Sequence, residues 1–312
     1  MNNSPVKIAV LDDYQQVAFK FADWSAIESK SEVTVFTDHI ADEAKVIERL
    51  LPFEVICAMR ERTPLKQNIL SKLPNLKLIV STGMRNASID TKAAEELGIA
   101  IKFTRYVESG APEHTWALIM AMARHIPTEV NNFKTNGWQT TIGSDFKGKT
   151  IGILGLGRVG SKIAAYAKAF DMNVIAWSPN LTEDRAKEAG TSLVSKEDLF
   201  KQADIVTIHM VLSDKTRGMV GKPELELMKP TAYFVNTSRG SLADEAAIIE
   251  VLQQNKIAGA ILDVFDQEPL TIDHPFRTMK NVLATPHIGY VTKEIYSVFY
   301  TDTVKAVEEW LT

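Results

Sequence analysis

Three short segments in the second half of the chain carry residue types that can act together on a carbonyl group. They are Val235-Asn236-Thr237-Ser238-Arg239-Gly240, Leu262-Asp263-Val264-Phe265-Asp266-Gln267-Glu268-Pro269 and Ala284-Thr285-Pro286-His287-Ile288-Gly289. Each sets a charged or titratable residue just past a strand-like run, and in an open α/β sheet that edge binds ligands. Arg239 offers a forked guanidinium that grips a carboxylate in bidentate fashion, as a lysine does not. His287 is the side-chain type suited to passing protons near neutral pH. A carboxylate such as Glu268 beside that ring would fix its tautomer. Together these are the parts needed to reduce a 2-oxo acid. Singly, each has a plain alternative: an arginine or histidine past a strand is commonly structural, and Glu268-Pro269 alone reads as a turn.

Such a reduction needs a hydride carrier, and a candidate site for one lies upstream. Gly155-Leu156-Gly157-Arg158-Val159-Gly160 follows the strand-like run Thr150 to Leu154 and leads into a helical stretch, Ser161 to Phe170. In that context Gly155 permits a tight turn, Gly157 lets the backbone approach a pyrophosphate, and Gly160 lets the helix pack on the strand. The helix N-terminus adds free N–H groups for the phosphates. A ribose-binding acid is expected about 20 residues on, at the end of the next strand. That strand ends Ala176-Trp177-Ser178-Pro179-Asn180, so Ser178 stands in the acid's place. Ser178 and Asn180 do not repel a 2′-phosphate, and Arg185 is the nearest arginine after them, so NAD and NADP both stay open.

The elements that must position these residues are legible as apolar runs alternating with helical patterns, which predicts an α/β fold with a mostly parallel sheet. Four strands are expected early, at Lys7 to Leu11, Val33 to Phe36, Glu54 to Ala58 and Leu76 to Ser81. Six more are expected later, at Thr150 to Leu154, Asn173 to Trp177, Ile205 to His209, Ala232 to Asn236, Gly259 to Asp263 and Val282 to Ala284. A long helix, apolar on more than one face, is expected over Pro112 to His125. The segment Asn131 to Lys149 reads as a surface loop or an arm on a partner subunit, bearing Phe133, Trp138 and Phe146. The tail from Thr292 to Leu311 reads as one amphipathic helix.

These motifs, jointly and in this order, resemble the D-isomer-specific 2-hydroxyacid dehydrogenases, the family that includes phosphoglycerate, glyoxylate and hydroxypyruvate dehydrogenases. The likeness also takes in Glu113-His114-Thr115 and the run from Ala203-Asp204-Ile205 to Leu212. The resemblance implies two Rossmann-like, doubly wound parallel-sheet domains with a cleft between them. Residues 1–103 plus 288–312 would form a discontinuous substrate domain, and residues 104–287 the dinucleotide domain. It implies that Arg239 binds the substrate carboxylate, that His287 is the acid/base paired with Glu268, and that Asp263 meets the nicotinamide carboxamide. The backbone around Thr82-Gly83-Met84 would line the substrate site, although the family's usual second glycine is replaced at Met84-Arg85. Thr115, His209, Thr237 and Ser238 join the glycine turn and Ser178-Pro179-Asn180 as cofactor-binding candidates. Arg60 and Arg85 are candidates for either the substrate site or the surface. His114 is expected to be structural, and His125 and His274 structural or solvent-facing. The helix from Pro112 and the arm after it resemble the family's dimer interface, so a homodimer is expected.

Composition narrows the alternatives. The chain has 312 residues, 45% of them hydrophobic and 24% charged, which suits a globular protein of two domains. A net charge of −4 argues against nucleic acid as a partner. The single cysteine, Cys57, lies in an apolar run and reads as a buried thiol, which with the lack of any disulfide suits a cytoplasmic setting. No secretory signal, membrane span or metal site is expected. Two rivals remain: a non-catalytic NAD(H)-sensing binding module of the same fold, and a formate-dehydrogenase-like enzyme, which would carry Gln where Glu268 stands.

Overall fold

In the computed structural model, which describes residues 4–312, the alternating runs form parallel strands in two compact units. One unit runs up to Val107 and resumes over Val291–Thr312; the other is Glu108–Tyr290. These divisions fall slightly later in the chain than 103/104 and 287/288. Hydrogen bonds account for the offset. The Thr104 N–H donates to the Ser81 carbonyl within the first unit, and the Ile288 and Gly289 N–H groups donate to Asp263 within the second.

Among the described residues the first unit contains β1 (Val6–Val10), β2 (Ser31–Val35), β3 (Val55–Ala58), β4 (Leu78–Ser81) and β5 (Ala100–Phe103), ordered β2-β1-β3-β4-β5. All neighbours pair in parallel. β3 and β4 are buried along their whole length, as parallel strands covered on both faces must be. β5 was not expected, because its Ala-Ile-Lys-Phe sequence lies on the sheet edge, largely exposed, and lacks an apolar run. The helix Lys293–Leu311 is capped by Thr292, whose hydroxyl accepts the Ile295 N–H. It buries Ile295, Tyr296, Phe299 and Tyr300. Asp302 of this helix takes the backbone N–H and the guanidinium of Arg105, at 2.8 to 3.0 Å. The two stretches of chain that make up the unit are thereby tied together.

The second unit contains β6 (Thr150–Leu154), β7 (Asn173–Trp177), β8 (Ser192–Leu193), β9 (Ile205–Ile208), β10 (Tyr233–Asn236), β11 (Gly259–Leu262) and β12 (Val282–Ala284). Their order is β12-β11-β10-β9-β6-β7-β8, all in parallel. The chain order reverses between β6 and β9, which is where such sheets bind ligands beyond their carboxyl ends. Because side chains alternate across a strand, β6 sends Ile151 and Ile153 into one apolar cluster and Leu154 into the other.

The long helix, Gly110–Ala123, lies within two residues of its expected bounds, but a second helix that was not expected, Ile126–Lys134, follows it. Pro127 supplies the break, since a proline is tolerated only in a helix's first turn; His125 turns the corner with φ +51°. The supposed arm is also not of one kind. Phe146 is buried, 5.7 Å from Trp116, while Phe133 and Trp138 are exposed. No helix among the described residues is long and apolar enough to cross a membrane.

Candidate active site

The turn after β6 is built for close approach. Gly155 has φ +97°, and a Cβ there would meet the His209 carbonyl oxygen at 2.4 Å. At Gly160 a Cβ would come within 2.1 Å of the Gly155 oxygen, so the helix packs directly on the turn. Gly157 is different: an added Cβ would meet nothing within 4 Å. Gly157 thus leaves open space at the N-terminus of a three-turn helix, Arg158–Ala169, where unpaired N–H groups suit a pyrophosphate. The residues therefore fit a dinucleotide. Leu156 and Val159 pack into the core, so only their backbone can serve one. Arg158 is exposed, 2.5 Å from Glu108.

Around this turn the other cofactor candidates fall into two groups. Ser178 and Asn180 follow β7, where the Leu181 N–H closes a turn on the Ser178 carbonyl through Pro179. Thr237 Oγ1 is 2.7 Å from Thr115 Oγ1, and the Ser238 hydroxyl donates to the Ile208 carbonyl. The loop after β10 is thus pinned to the helix Gly110–Ala123 and to β9. His209 follows β9 directly, with Nε2 3.0 Å from Thr207 Oγ1. Burial pushes its pKa down to about 3, so the ring stays neutral.

The three catalytic candidates sit on the loops after β10, β11 and β12. His287 Nδ1 is 2.5 Å from Glu268 Oε2, and Glu268 Oε1 accepts the Phe265 N–H at 2.9 Å. The carboxylate is held at one oxygen and aims the other at the ring, which leaves His287 Nε2 as the nitrogen turned to other work. His287 has φ +53°, a left-handed conformation rare for non-glycine residues, and its ring stands edge-on to Tyr290. Such outliers persist where surrounding structure enforces them, often at functional sites. Arg239 is half-buried and donates to the Ser238 carbonyl at 2.6 Å. Asn236 Nδ2 donates to the Arg239 carbonyl and Oδ1 accepts the Ser238 N–H, so Asn236 shapes the loop that carries the arginine.

Asp263, only 1% exposed, organises the same edge. Its carboxylate accepts from Thr285 Oγ1 at 2.5 Å and from the Ile288 and Gly289 N–H groups at 2.9 Å. His114 Nε2 lies 3.3 Å away. Burial raises the cost of its charge, but the hydrogen bonds from His114, Thr285 and Ile288 outweigh burial and hold the carboxyl below its usual range. Asp263 thus anchors the residues on both sides of His287. Its partnership with His114 was not read from the sequence, since the two lie far apart in the chain. His274 is structural, between Glu245 and the Phe276 N–H. Burial pushes the Cys57 thiol up to about 12.

In the first unit the loops after β3 and β4 are bonded together. Arg60 has φ +52°; its N–H donates to Thr82 Oγ1 at 2.8 Å, and its carbonyl accepts from Asn86 Nδ2 at 2.6 Å. The buried Asn86 also donates to Ser81 Oγ. Gly83 has φ +85°, and a Cβ there would strike Arg60 Nη1 at 1.8 Å, so the glycine makes room for the arginine. Met84 and Arg85 are exposed. Among the described residues, no group of three or more His, Cys, Asp or Glu side chains is arranged to hold a metal.

A doubly wound parallel sheet with a glycine turn at its switch point and a histidine–carboxylate pair on the same edge defines a dinucleotide-binding α/β class. Comparison with known proteins takes the matter further. Residues 116–289 match the NAD binding domain of the D-isomer specific 2-hydroxyacid dehydrogenases. A glyoxylate reductase of Aeropyrum pernix is 40% identical over 238 residues, with 73% of this chain and 71% of that one covered. A D-3-phosphoglycerate dehydrogenase of Methanocaldococcus jannaschii is 35% identical over 310 residues, covering 98% of this chain and 57% of that one. A crystal structure of a phosphoglycerate oxidoreductase from Vibrio cholerae gives a TM-score of 0.92 at 37% identity, with 98% of both chains covered. The chain spans about half the length of the phosphoglycerate dehydrogenases it matches, from 45% to 57%. It belongs to the D-isomer-specific 2-hydroxyacid dehydrogenase family, and its second unit holds the family's NAD-binding domain.

Proposed function

We propose that this chain reduces small 2-oxo acids to D-2-hydroxy acids, with Arg239, Glu268 and His287 as its catalytic residues. The observation that carries the reading is the 2.5 Å contact of His287 Nδ1 with Glu268 Oε2, on the ligand edge of a dinucleotide-binding sheet. A bound nicotinamide dinucleotide supplies the hydride. Arg239 grips the substrate carboxylate and polarises the 2-oxo group. His287 delivers a proton from Nε2 to the oxygen as it gains negative charge, while Glu268 holds the ring in the tautomer that keeps Nδ1 occupied. In the reverse direction His287 takes the proton back. The Glu268 carboxylate, present in place of a glutamine, supports this chemistry over a formate-dehydrogenase-like one.

Gly155, Gly157, Gly160, Ser178, Thr237, Ser238 and Asp263 hold the dinucleotide in this reading, and Thr82, Gly83, Met84 and Arg60 contribute to substrate binding. Ser178 neither repels nor clamps a 2′-phosphate, so both NADH and NADPH are candidates. The relatives' names point to glyoxylate and phosphoglycerate-type acids as the substrate class. The exposed apolar side chains of Ile126, Val130, Phe133, Trp138 and Ile142 support a homodimer. The lone buried cysteine supports a reducing, cytoplasmic setting. The test is oxidation of NADH and NADPH against a panel of 2-oxo acids. Turnover of at least one is expected; binding of the dinucleotide without turnover of any would favour the sensing module instead.

A further inference from the structure

We propose that Glu61 selects for 2-oxo acids with an uncharged tail and against their phosphate esters. This inference rests on the reading above in which Arg60 contributes to substrate binding. Arg60 is the cation a phosphorylated tail would need, and its surroundings already answer its charge. Its guanidinium lies 3.6 Å from the Glu61 carboxylate, with the two side chains only 16% and 19% exposed. Nη1 donates to the Thr82 carbonyl at 3.3 Å, and the guanidinium carbon stands 5.4 Å from the centre of the Tyr106 ring.

The arginine is also not free to seek a ligand elsewhere. Thr82 and Asn86 fix its backbone in the left-handed region at both the N–H and the carbonyl. Its side chain occupies the space above Gly83 that any other residue there would fill. Gly83 in turn donates its N–H to Thr104 Oγ1 at 2.8 Å, which keeps the turn in place under the guanidinium.

A phosphate dianion approaching this pair meets a carboxylate together with the guanidinium. Like charges set side by side weaken binding strongly, and a shielded pair is little screened by salt. A hydroxymethyl group or a hydrogen brings no charge and meets no such repulsion. Of the other cations on these loops, Arg62 donates to the Asp12 carbonyl at 2.9 Å and lies over the Tyr14 ring, Lys66 donates to the Ala87 carbonyl, and Arg85 is exposed, where water and salt weaken its pull.

The experiment compares steady-state kinetics of the full chain on hydroxypyruvate and on its phosphate ester, for the wild type and Glu61→Gln. The wild type is expected to favour hydroxypyruvate in kcat/KM. The variant is expected to shift the ratio of the two by roughly tenfold or more toward the ester, mainly through the KM of the ester. If Glu61→Gln does not fold, Glu61→Ser serves for the same comparison. A wild type that prefers the ester, or a ratio that does not move, overturns the inference and leaves the dehydrogenase reading standing. Failure to turn over any 2-oxo acid at all overturns both.

Discussion

Glu268 faces His287 with one carboxylate oxygen, at 2.5 Å, and is anchored by the other to the Phe265 N–H at 2.9 Å. The anchor and the loop it braces fix where the carboxylate sits, so the pair is set before any ligand arrives. Glu268→Gln keeps the shape and removes the charge. It is expected to lower kcat by about tenfold to a hundredfold, a part of what positioned proton transfer supplies, with dinucleotide affinity unchanged. Stopped-flow turnover alongside fluorescence titration with NADH checks both halves.

Asn86 is a positioning residue that reaches Arg60 through its backbone. Its Nδ2 holds the Arg60 carbonyl and Ser81 Oγ, and its Oδ1 accepts the Ser88 N–H. Asn86→Ala removes all three bonds. A stability loss of about 1–3 kcal/mol is expected for buried groups left unpaired, together with a raised KM for substrate and a nearly unchanged kcat. A role in stability alone would move the melting temperature and leave KM where it was.

His209 makes the second unit sensitive to acid. Its pKa is pushed from 6.5 to about 3 by burial, and its Nδ1 has no hydrogen-bond partner among the described residues. Below about pH 6.5 the unfolded chain takes up a proton that the folded chain refuses. Stability therefore falls as pH drops from there toward 3, by one proton's worth of linkage. His209→Asn is expected to flatten that limb. Melting temperatures between pH 4 and 8 decide it: equal slopes for the two proteins would assign the acid loss to other groups.

The parts of this molecule that the sequence made legible are those governed by local rules. β6, the glycine turn and the helix after it stood out because Gly155 needs a positive φ and Gly160 needs to lack a side chain. Arg239, Glu268 and His287 stood out because each follows a strand of strong apolar character. What escaped depends on long-range partners. β5 is a strand by its pairing with β4 rather than by its own exposed residues. Phe146 joins the core through Trp116 and Phe170. His114 and Asp263, or Glu61 and Asn86 around Arg60, acquire meaning only once the fold brings their loops together. The end of the long helix near His125 was legible, but the second helix, Ile126–Lys134, was not, because its largely polar Pro-Thr-Glu-Val-Asn-Asn sequence shows no clear apolar periodicity.

The most direct test of the whole account is the turnover of His287→Ala with intact NADH binding. With a 2-oxo acid that the wild type reduces, the account predicts a fall in kcat of roughly 10²- to 10⁴-fold, while the dissociation constant for NADH stays within about twofold, because His287 is not among the residues proposed to hold the dinucleotide. A variant that turns over at the wild-type rate would contradict the assignment of the proton to His287, and with it the central claim.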